Sequence, residues 1–426
     1  MRNIAVACLL VAATASADPA PGEESGVIHD DETESSVGTS IARGVLFVPK
    51  TIVQVIGWPV GGLVWLYDRF EINDLYYRVF YNRTHTFGIV PSITYSTGLG
   101  LTGGFRLISK NTFGDHEYLT LLGTYGGTYH TRNEAWLDSG WRLDPVVVKL
   151  GGNFDRFDPL PFYGIGNFDS AARADYRYQE LRAELSANWT IADDLHLIGR
   201  GAYAQIKTGD PGSGTSVDQV YMGTPAFGDT FSHLYGELEV RWDRRHMLLP
   251  WETTTYSSGW LVRGLAGRVH ELDQGSDFTH YAVDLQAFIH MSLAPRMLVL
   301  RFWGEGVTGD RTDVPFIELP FLGGDFLRGY DYARFRDKVT AVATAQYVWD
   351  LSRFADAFMF VDAGRVFPAI TSLSVDNMRV GYGGGLVLHG HTGEYVVGGT
   401  VASSIDGGVQ FTLTLGPLWN ATPRWR

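Results

Sequence analysis

The sequence predicts an all-β fold: a transmembrane antiparallel β-barrel of about sixteen strands, preceded by a short N-terminal helical segment. Three observations lead to this prediction. Segments that alternate between apolar and polar residues run for about 10–15 positions, which is long for the strands of a soluble sandwich. No series of crossover helices separates these segments. Short connections alternate with long ones, as they do between the two rims of an outer-membrane barrel.

The N-terminus carries the features of an export signal. Arg2 precedes an apolar run over 4–13, and a small-residue cleavage site follows at 15–17. This pattern predicts a secretory signal peptide over 1–17. The one cysteine, Cys8, lies inside the apolar run, so we expect no disulfide in the exported chain.

Two further segments precede the predicted barrel. Residues 18–40 contain seven acidic residues and no Lys or Arg, which indicates a disordered acidic linker. Residues 41–83 are predicted as a periplasmic or interfacial helical segment. Its apolar part, 44–67, is long enough to span a membrane, but two prolines, a lysine and a Gly-Gly pair interrupt it. We therefore favour two short amphipathic helices at a membrane surface over a spanning helix.

The charge balance excludes one class of partner. The chain has 34 basic and 47 acidic residues, a formal net charge of −13. A nucleic-acid-binding protein would present a basic surface, so we expect no nucleic-acid partner.

The strand prediction rests on alternation with period two. In the stretches 234–243, 280–291 and 408–419 one face is apolar and the other is polar, often charged. A soluble sandwich gives the same local pattern, and it is the alternation of short and long connections that favours a membrane barrel over 84–419, with a tail at 420–426. Both chain termini are then expected in the periplasm. The longest connection, 307–337, follows the eleventh predicted strand at the outer rim.

That long loop carries the motif Leu327-Arg328-Gly329-Tyr330. It resembles the signature loop of the BamA/TamA-like outer-membrane proteins, also called the bacterial surface antigen barrels. In that superfamily an extracellular loop with a (V/I/L)-R-G-(F/Y) motif folds back into the lumen.

Other motifs occur in the order of the same family. The strand FMFVDAGRVF resembles the family's F-x-D-x-G strand, with Phe360, Asp362 and Gly364 at the matching places. FYGIGN and VRWDRRHMLLP also resemble family segments. The last strand resembles the one by which such barrels are recognised and closed, and its matching residues are Phe411, Leu413, Leu415 and Trp419.

Period two assigns a partner to the arginine of the loop. Phe360 and Asp362 share the face that is expected to line the lumen, where the carboxylate can accept from the planar guanidinium of Arg328. Gly329 allows a sharp turn, and Tyr330 is expected to pack against the aromatic wall. The contact is either a purely structural lock or a lock whose integrity also matters for substrate handling.

Two features depart from the family. Where the preceding strand often offers a glutamate to the arginine, this chain has Gln346, which leaves one acid instead of two. The periplasmic POTRA repeats are expected to be missing, because only about 66 residues separate the cleavage site from the first strand. The chain is therefore interpreted as a POTRA-less member.

The resemblance implies a barrel in the outer membrane of a Gram-negative bacterium that helps to insert or export proteins or lipids. Its implied partners are outer-membrane lipids, client outer-membrane or exported polypeptides, and periplasmic accessory proteins. The alternative is a passive diffusion channel or structural barrel that has lost the assembly role.

No enzymatic motif is present, and neither a cofactor nor a metal is expected. His389 and His391 share a strand face that could bind a metal, but a rim position is the simpler interpretation. Glu237 and Glu239 could form an acid–base pair, but we interpret them as lining a wet barrel interior.

Overall fold

The computed structural model describes residues 69, 72–97, 99–126, 130–168, 171–245, 258–273, 276–291, 296–352, 355–389 and 396–415. Several sequence predictions lie outside these residues: the signal peptide, the acidic linker, the helical pair over 44–67, His391, Trp419 and the tail.

The described residues form a closed antiparallel barrel of sixteen strands, as predicted. A further hairpin, β12–β13, consists of two strands of two residues each and is not part of the barrel wall. The strands are β1 (Phe87–Ser96), β2 (Gly100–Lys110), β3 (Tyr118–Tyr125), β4 (His130–Asp138), β5 (Val146–Phe162), β6 (Ala174–Ala192), β7 (Leu195–Gly209), β8 (Thr230–Asp243), β9 (Gly259–Glu271), β10 (Asp277–Met291), β11 (Arg296–Val307), β12 (Phe321–Leu322), β13 (Phe335–Arg336), β14 (Val339–Ser352), β15 (Ala355–Phe367), β16 (Arg379–His389), β17 (Val396–Ser404) and β18 (Val409–Leu415).

Each wall strand pairs with its neighbours along the chain, and β1 pairs with β18 to close the ring. The β12–β13 hairpin falls between β11 and β14, which are themselves neighbours in the wall. The long loop therefore follows the eleventh strand, as the sequence predicted.

The two faces of the wall strands differ in polarity in the way that a membrane barrel requires. On β8, Tyr235, Glu237 and Glu239 are buried in the lumen, whereas Leu238 and Val240 face outward and are 65% and 52% exposed. Exposing the apolar face is costly in water and favourable in a bilayer, so the alternation indicates a lipid-facing outer surface.

The connections differ in length at the two ends of the barrel. Four long ones leave the same end, which we call the long-loop rim: residues 163–173, 210–229, 308–338 and 368–378. The opposite end, the short-turn rim, carries turns such as 193–194, and the connection 244–258 is an exception that is longer. We call residues 308–338 the lock loop.

Two α-helices accompany the strands. The helix α1 (Ile72–Phe80) precedes β1. Its Tyr77 packs with Tyr81, with Val90 of β1 and with Ile108 of β2. The helix α2 (Val217–Val220) is a single turn in the connection between β7 and β8. Neither these helices nor any other helix in the described ranges combines the length and apolar character that a bilayer span requires.

Candidate functional site: the lock loop and the barrel seam

The lock loop has a structure of its own that the sequence reading missed. It contains a 3₁₀ turn at Phe316–Glu318 and the hairpin β12–β13, in which Phe321 pairs with Arg336 and Leu322 with Phe335. Between these two short strands the chain turns at Gly323 and Gly324, which both have positive φ. Residues with positive φ are typically glycine, so the Gly-Gly pair was the available signal.

The predicted contact between Arg328 and Asp362 is present. The Nε and Nη2 atoms of Arg328 donate to the two carboxylate oxygens of Asp362, each at 2.7 Å. The backbone N–H of Arg328 also donates to Oδ2 at 3.1 Å. The side chain of Asp362 is 1% exposed, so this charge is compensated inside the barrel and not by solvent.

The neighbouring side chains complete the coordination of both charges. Arg328 Nη1 donates to Gln346 Oε1 at 2.9 Å, and the Thr344 hydroxyl donates to Asp362 Oδ1 at 2.8 Å. The guanidinium carbon lies 3.4 Å from the ring centroid of Phe360, a cation–π arrangement. Gln346 thus accepts a hydrogen bond from Arg328 without adding a second negative charge.

Glycines in the loop and in the wall strands allow the backbone of the loop tip to contact the wall directly. Gly329 has a φ of 93°, and a Cβ built there would overlap the carbonyl oxygen of Ser403 on β17. A Cβ on Gly381 of β16 would overlap the carbonyl oxygen of Arg328. Gly364 of the F-x-D-x-G strand lies against Leu322 of the loop. The sequence did not predict this role of Gly381, although the run GYGGG at 381–385 indicated a strand segment with few side chains.

Leu327 and Tyr330 anchor the loop tip by burial. Leu327 is fully buried in a cluster that includes Trp303 of the wall and Phe335 of the hairpin stem. The Tyr330 ring meets Phe335 edge-to-face at 5.2 Å, and its hydroxyl donates to Asp406 at 2.9 Å. The loop tip is therefore held by apolar packing as well as by the ion pair.

Asp331 connects the lock loop to the closing strand. Its Oδ1 accepts from the side chain of Gln410 on β18 at 2.6 Å, and its Oδ2 accepts from the Tyr163 hydroxyl at 2.6 Å. Burial and the hydrogen bond to Asp331 raise the pKa of Tyr163, which keeps the phenol protonated as a donor. Nothing in the sequence pattern indicated this link, because Tyr163, Asp331 and Gln410 are far apart along the chain.

The described part of the seam between β1 and β18 contains few register pairs. The register pairs are Tyr95 with Leu413 and Ser96 with Thr412, whereas the β1–β2 ladder runs through all ten residues of β1. One residue further toward the long-loop rim, the Thr97 hydroxyl and N–H both bond the backbone of Phe411. Of the predicted closing-strand residues, Phe411 and Leu413 thus lie at the seam, and Leu415 is the last described residue.

The other candidates considered from the sequence lie in different settings. Arg200 bonds both Glu237 and Glu239, and Arg241 also pairs with Glu239, so these carboxylates belong to a charge ladder on the inner wall. The side chain of His389 lies outside the described part of the chain. Within the described part, no group of His, Cys, Asp or Glu side chains is arranged to hold a metal ion.

Together, these features define a class of protein: a closed sixteen-stranded antiparallel barrel whose long loop is locked into the lumen by an arginine. Residues 111–395 match the Omp85 superfamily domain, and the chain belongs to this superfamily. Omp85-family barrels are bacterial outer-membrane proteins. A comparison with curated protein sequences finds no match.

Solved structures show the same fold at low sequence identity. BamA from Haemophilus ducreyi, in a form lacking POTRA domains 1–3, has 14% identity and a TM-score of 0.57, over 78% of this chain and 70% of that one. CdiB from Acinetobacter baumannii has 11% identity and a TM-score of 0.50, over 77% and 59%. CdiB from Escherichia coli has 10% identity and a TM-score of 0.52, over 77% and 62%. This chain therefore spans about three fifths of the CdiB chains that it matches.

Proposed function

We propose that this protein helps to insert or export polypeptides or lipids across the outer membrane of a Gram-negative bacterium. Its proposed partners are outer-membrane lipids, client polypeptides and periplasmic accessory proteins. The proposed activity is non-enzymatic and requires no cofactor, because it consists of opening a hydrogen-bonded seam.

The small number of pairs in the described part of the seam is the observation that carries this proposal. Two register pairs and the Thr97 contacts join β1 to β18 in the described residues, so few backbone hydrogen bonds oppose separation at this point. A net backbone hydrogen bond contributes only about 1 kcal/mol, so the described part of the seam is held less strongly than the ten-pair β1–β2 ladder. Separated strands would expose unpaired N–H and C=O groups that a client strand could pair with.

The lock loop supports the proposal because it forms hydrogen bonds with both β15 and the closing strand β18. Arg328 ties the loop to β15 through Asp362, and Asp331 ties it to β18 through Gln410. A movement of the loop tip would thus be transmitted to the closing strand. A functional lock is favoured over a purely structural one on this ground.

The long loops disfavour the alternative of a diffusion channel. The N–H of Phe316 donates to Pro225 O at 3.2 Å, and the N–H of Gly166 donates to Arg336 O at 2.7 Å. Loops from three different connections thus interlock over the lumen. A channel would require a continuous aqueous path through this region.

A disulfide across the seam tests the proposal. Ser96→Cys with Thr412→Cys places cysteines at register partners of β1 and β18, and Thr94→Cys with Thr102→Cys does the same between β1 and β2. We expect oxidation of the first pair to lower the insertion of client barrels into proteoliposomes, and reduction to restore it. The second pair should have no effect.

Full activity of the oxidised seam variant would contradict the proposal. In cells, deletion of the protein should change outer-membrane protein or lipid content. A deletion that changed only solute permeability would favour the channel instead.

A further inference from the structure

The outward face of β5–β7 changes character toward the long-loop rim. Phe154, Leu181 and Tyr203, one on each strand, are exposed outward, as lipid-facing residues are. Beyond them the same face becomes polar. Its basic residues, which we call the basic cluster, are Arg156, Arg177 and Lys207.

The sheet register brings the basic cluster together. Arg156 pairs with Gln179, and Gln179 pairs with Lys207 on the next strand. Since neighbouring strands lie about 4.8 Å apart, the Cα atoms of Arg156 and Lys207 are separated by about 10 Å. Arg177 lies one pleat closer to the rim than Gln179, on the same face. Three cations therefore share an area comparable to one lipid headgroup.

A buried carboxylate orients the two arginines. Asp158 Oδ2 accepts from Arg177 Nε at 2.9 Å and lies 3.7 Å from Arg156 Nη2. Its other oxygen accepts from the N–H of Gly212 at 2.7 Å. The side chain of Asp158 is 6% exposed, whereas those of Arg156 and Arg177 are 44% and 41% exposed. The carboxylate is thus covered while the guanidinium groups face outward.

The cluster keeps an excess of positive charge. No ion pair of Lys207 occurs among the described residues of the barrel, and its side chain is exposed. The nearby Asp210 accepts from the Ser216 hydroxyl at 2.6 Å. On the same face, Asp175 pairs with Arg173. The remaining carboxylates, Asp158 and Asp210, lie near three cations, so one net positive charge remains that a further anion would balance.

We propose that the basic cluster binds the phosphate of an outer-leaflet glycolipid. Arginine guanidinium groups match phosphate oxygens in pairs, and a lysine adds a mobile point charge. The cluster begins where the apolar band ends, which is the level of the headgroups when the long-loop rim faces outward. The inference rests on the proposed outer-membrane location and goes beyond the insertion function.

The position of the cluster adds a consequence for the seam. In the described residues, the outward faces of β1 and β18 carry no basic side chain. A lipid bound at β5–β7 would thus hold that part of the wall in the leaflet and leave the seam region unrestrained.

The test uses the full-length protein purified in detergent and three probes. They are bisphosphorylated lipid A, the same lipid with both phosphates removed, and inorganic phosphate. We expect native mass spectrometry to show about tenfold or greater preference for the phosphorylated lipid, because each charge-assisted contact contributes on the order of 1.4 kcal/mol or more. Equal affinity for the two lipids would overturn the proposal. Competition by low-millimolar inorganic phosphate would instead indicate a free-anion site and also overturn it.

Variants assign the effect to the cluster. Arg156→Ala/Arg177→Ala/Lys207→Ala should abolish the preference, whereas Arg156→Lys/Arg177→Lys/Lys207→Arg should retain most of it. Arg244→Ala, which removes an exposed arginine paired with Asp194 near the short-turn rim, is the matched control. Retained preference in the triple alanine variant would refute the assignment. If that variant does not fold, the comparison of the two lipids on the unmodified protein still tests the proposal. The seam experiment, which tests the proposed function, does not depend on either result.

Discussion

Truncation of either side of the Arg328–Asp362 pair should release the lock loop. Asp362 is 1% exposed and accepts three hydrogen bonds from Arg328 and one from Thr344. Arg328→Ala leaves this buried carboxylate without a counter-charge, which costs about 3–5 kcal/mol. Asp362→Ala should cost less, because Arg328 is 18% exposed and keeps its contact with Gln346.

The two substitutions remove the same contact, so their effects should not add. We expect a coupling free energy of about 2–3 kcal/mol between them. Arg328→Lys should restore only part of the loss, since an ammonium group cannot bond both oxygens of Asp362 in the same planar geometry. The free energy of unfolding in urea and the temperature at which the gel shift disappears measure the stability. Protease cleavage within the lock loop reports its release.

An exposed ion pair supplies the control. The side chains of Arg244 and Asp194 are 51% and 32% exposed, and truncation of that pair should cost no more than about 1 kcal/mol. Simple additivity of Arg328→Ala and Asp362→Ala would refute the reasoning. A loop that stays protected from protease in both single variants would refute it as well.

Three further results are expected. Gly381→Val should increase protease cleavage of the lock loop, because a Cβ there meets a loop carbonyl, whereas Gly399→Val on the next strand has free space and should not. Burial raises the pKa of Glu117, but donation by Arg142 and three backbone N–H groups outweighs it and lowers the pKa to about 2. The stability of the wild type relative to Glu117→Gln should therefore be present above pH 4.5 and vanish as the pH falls toward 2 in urea unfolding. A tag within 210–229 should be labelled on intact cells. Absence of labelling there would contradict the predicted orientation of the barrel in the membrane.

The sequence alone determined the barrel and the central contact of the lock. Period-two alternation assigns each residue to the lumen or the lipid, since successive side chains of a strand point to opposite faces. That rule, with the resemblance of the loop motif, is enough to pair Arg328 with Asp362. It also predicted the apolar outward face of β8.

Only the tertiary structure decided which residues from distant parts of the chain meet at the site. Asp331 contacts Tyr163 and Gln410 because the lock loop crosses the lumen, and no local pattern encodes that crossing. Gly381 is needed because the carbonyl of a residue 53 positions earlier lies against it. The pairing of β1 with β18 likewise depends on ring closure. These contacts depend on how the strands are staggered around the whole barrel, which is set by the sum of all registers and not by any one segment.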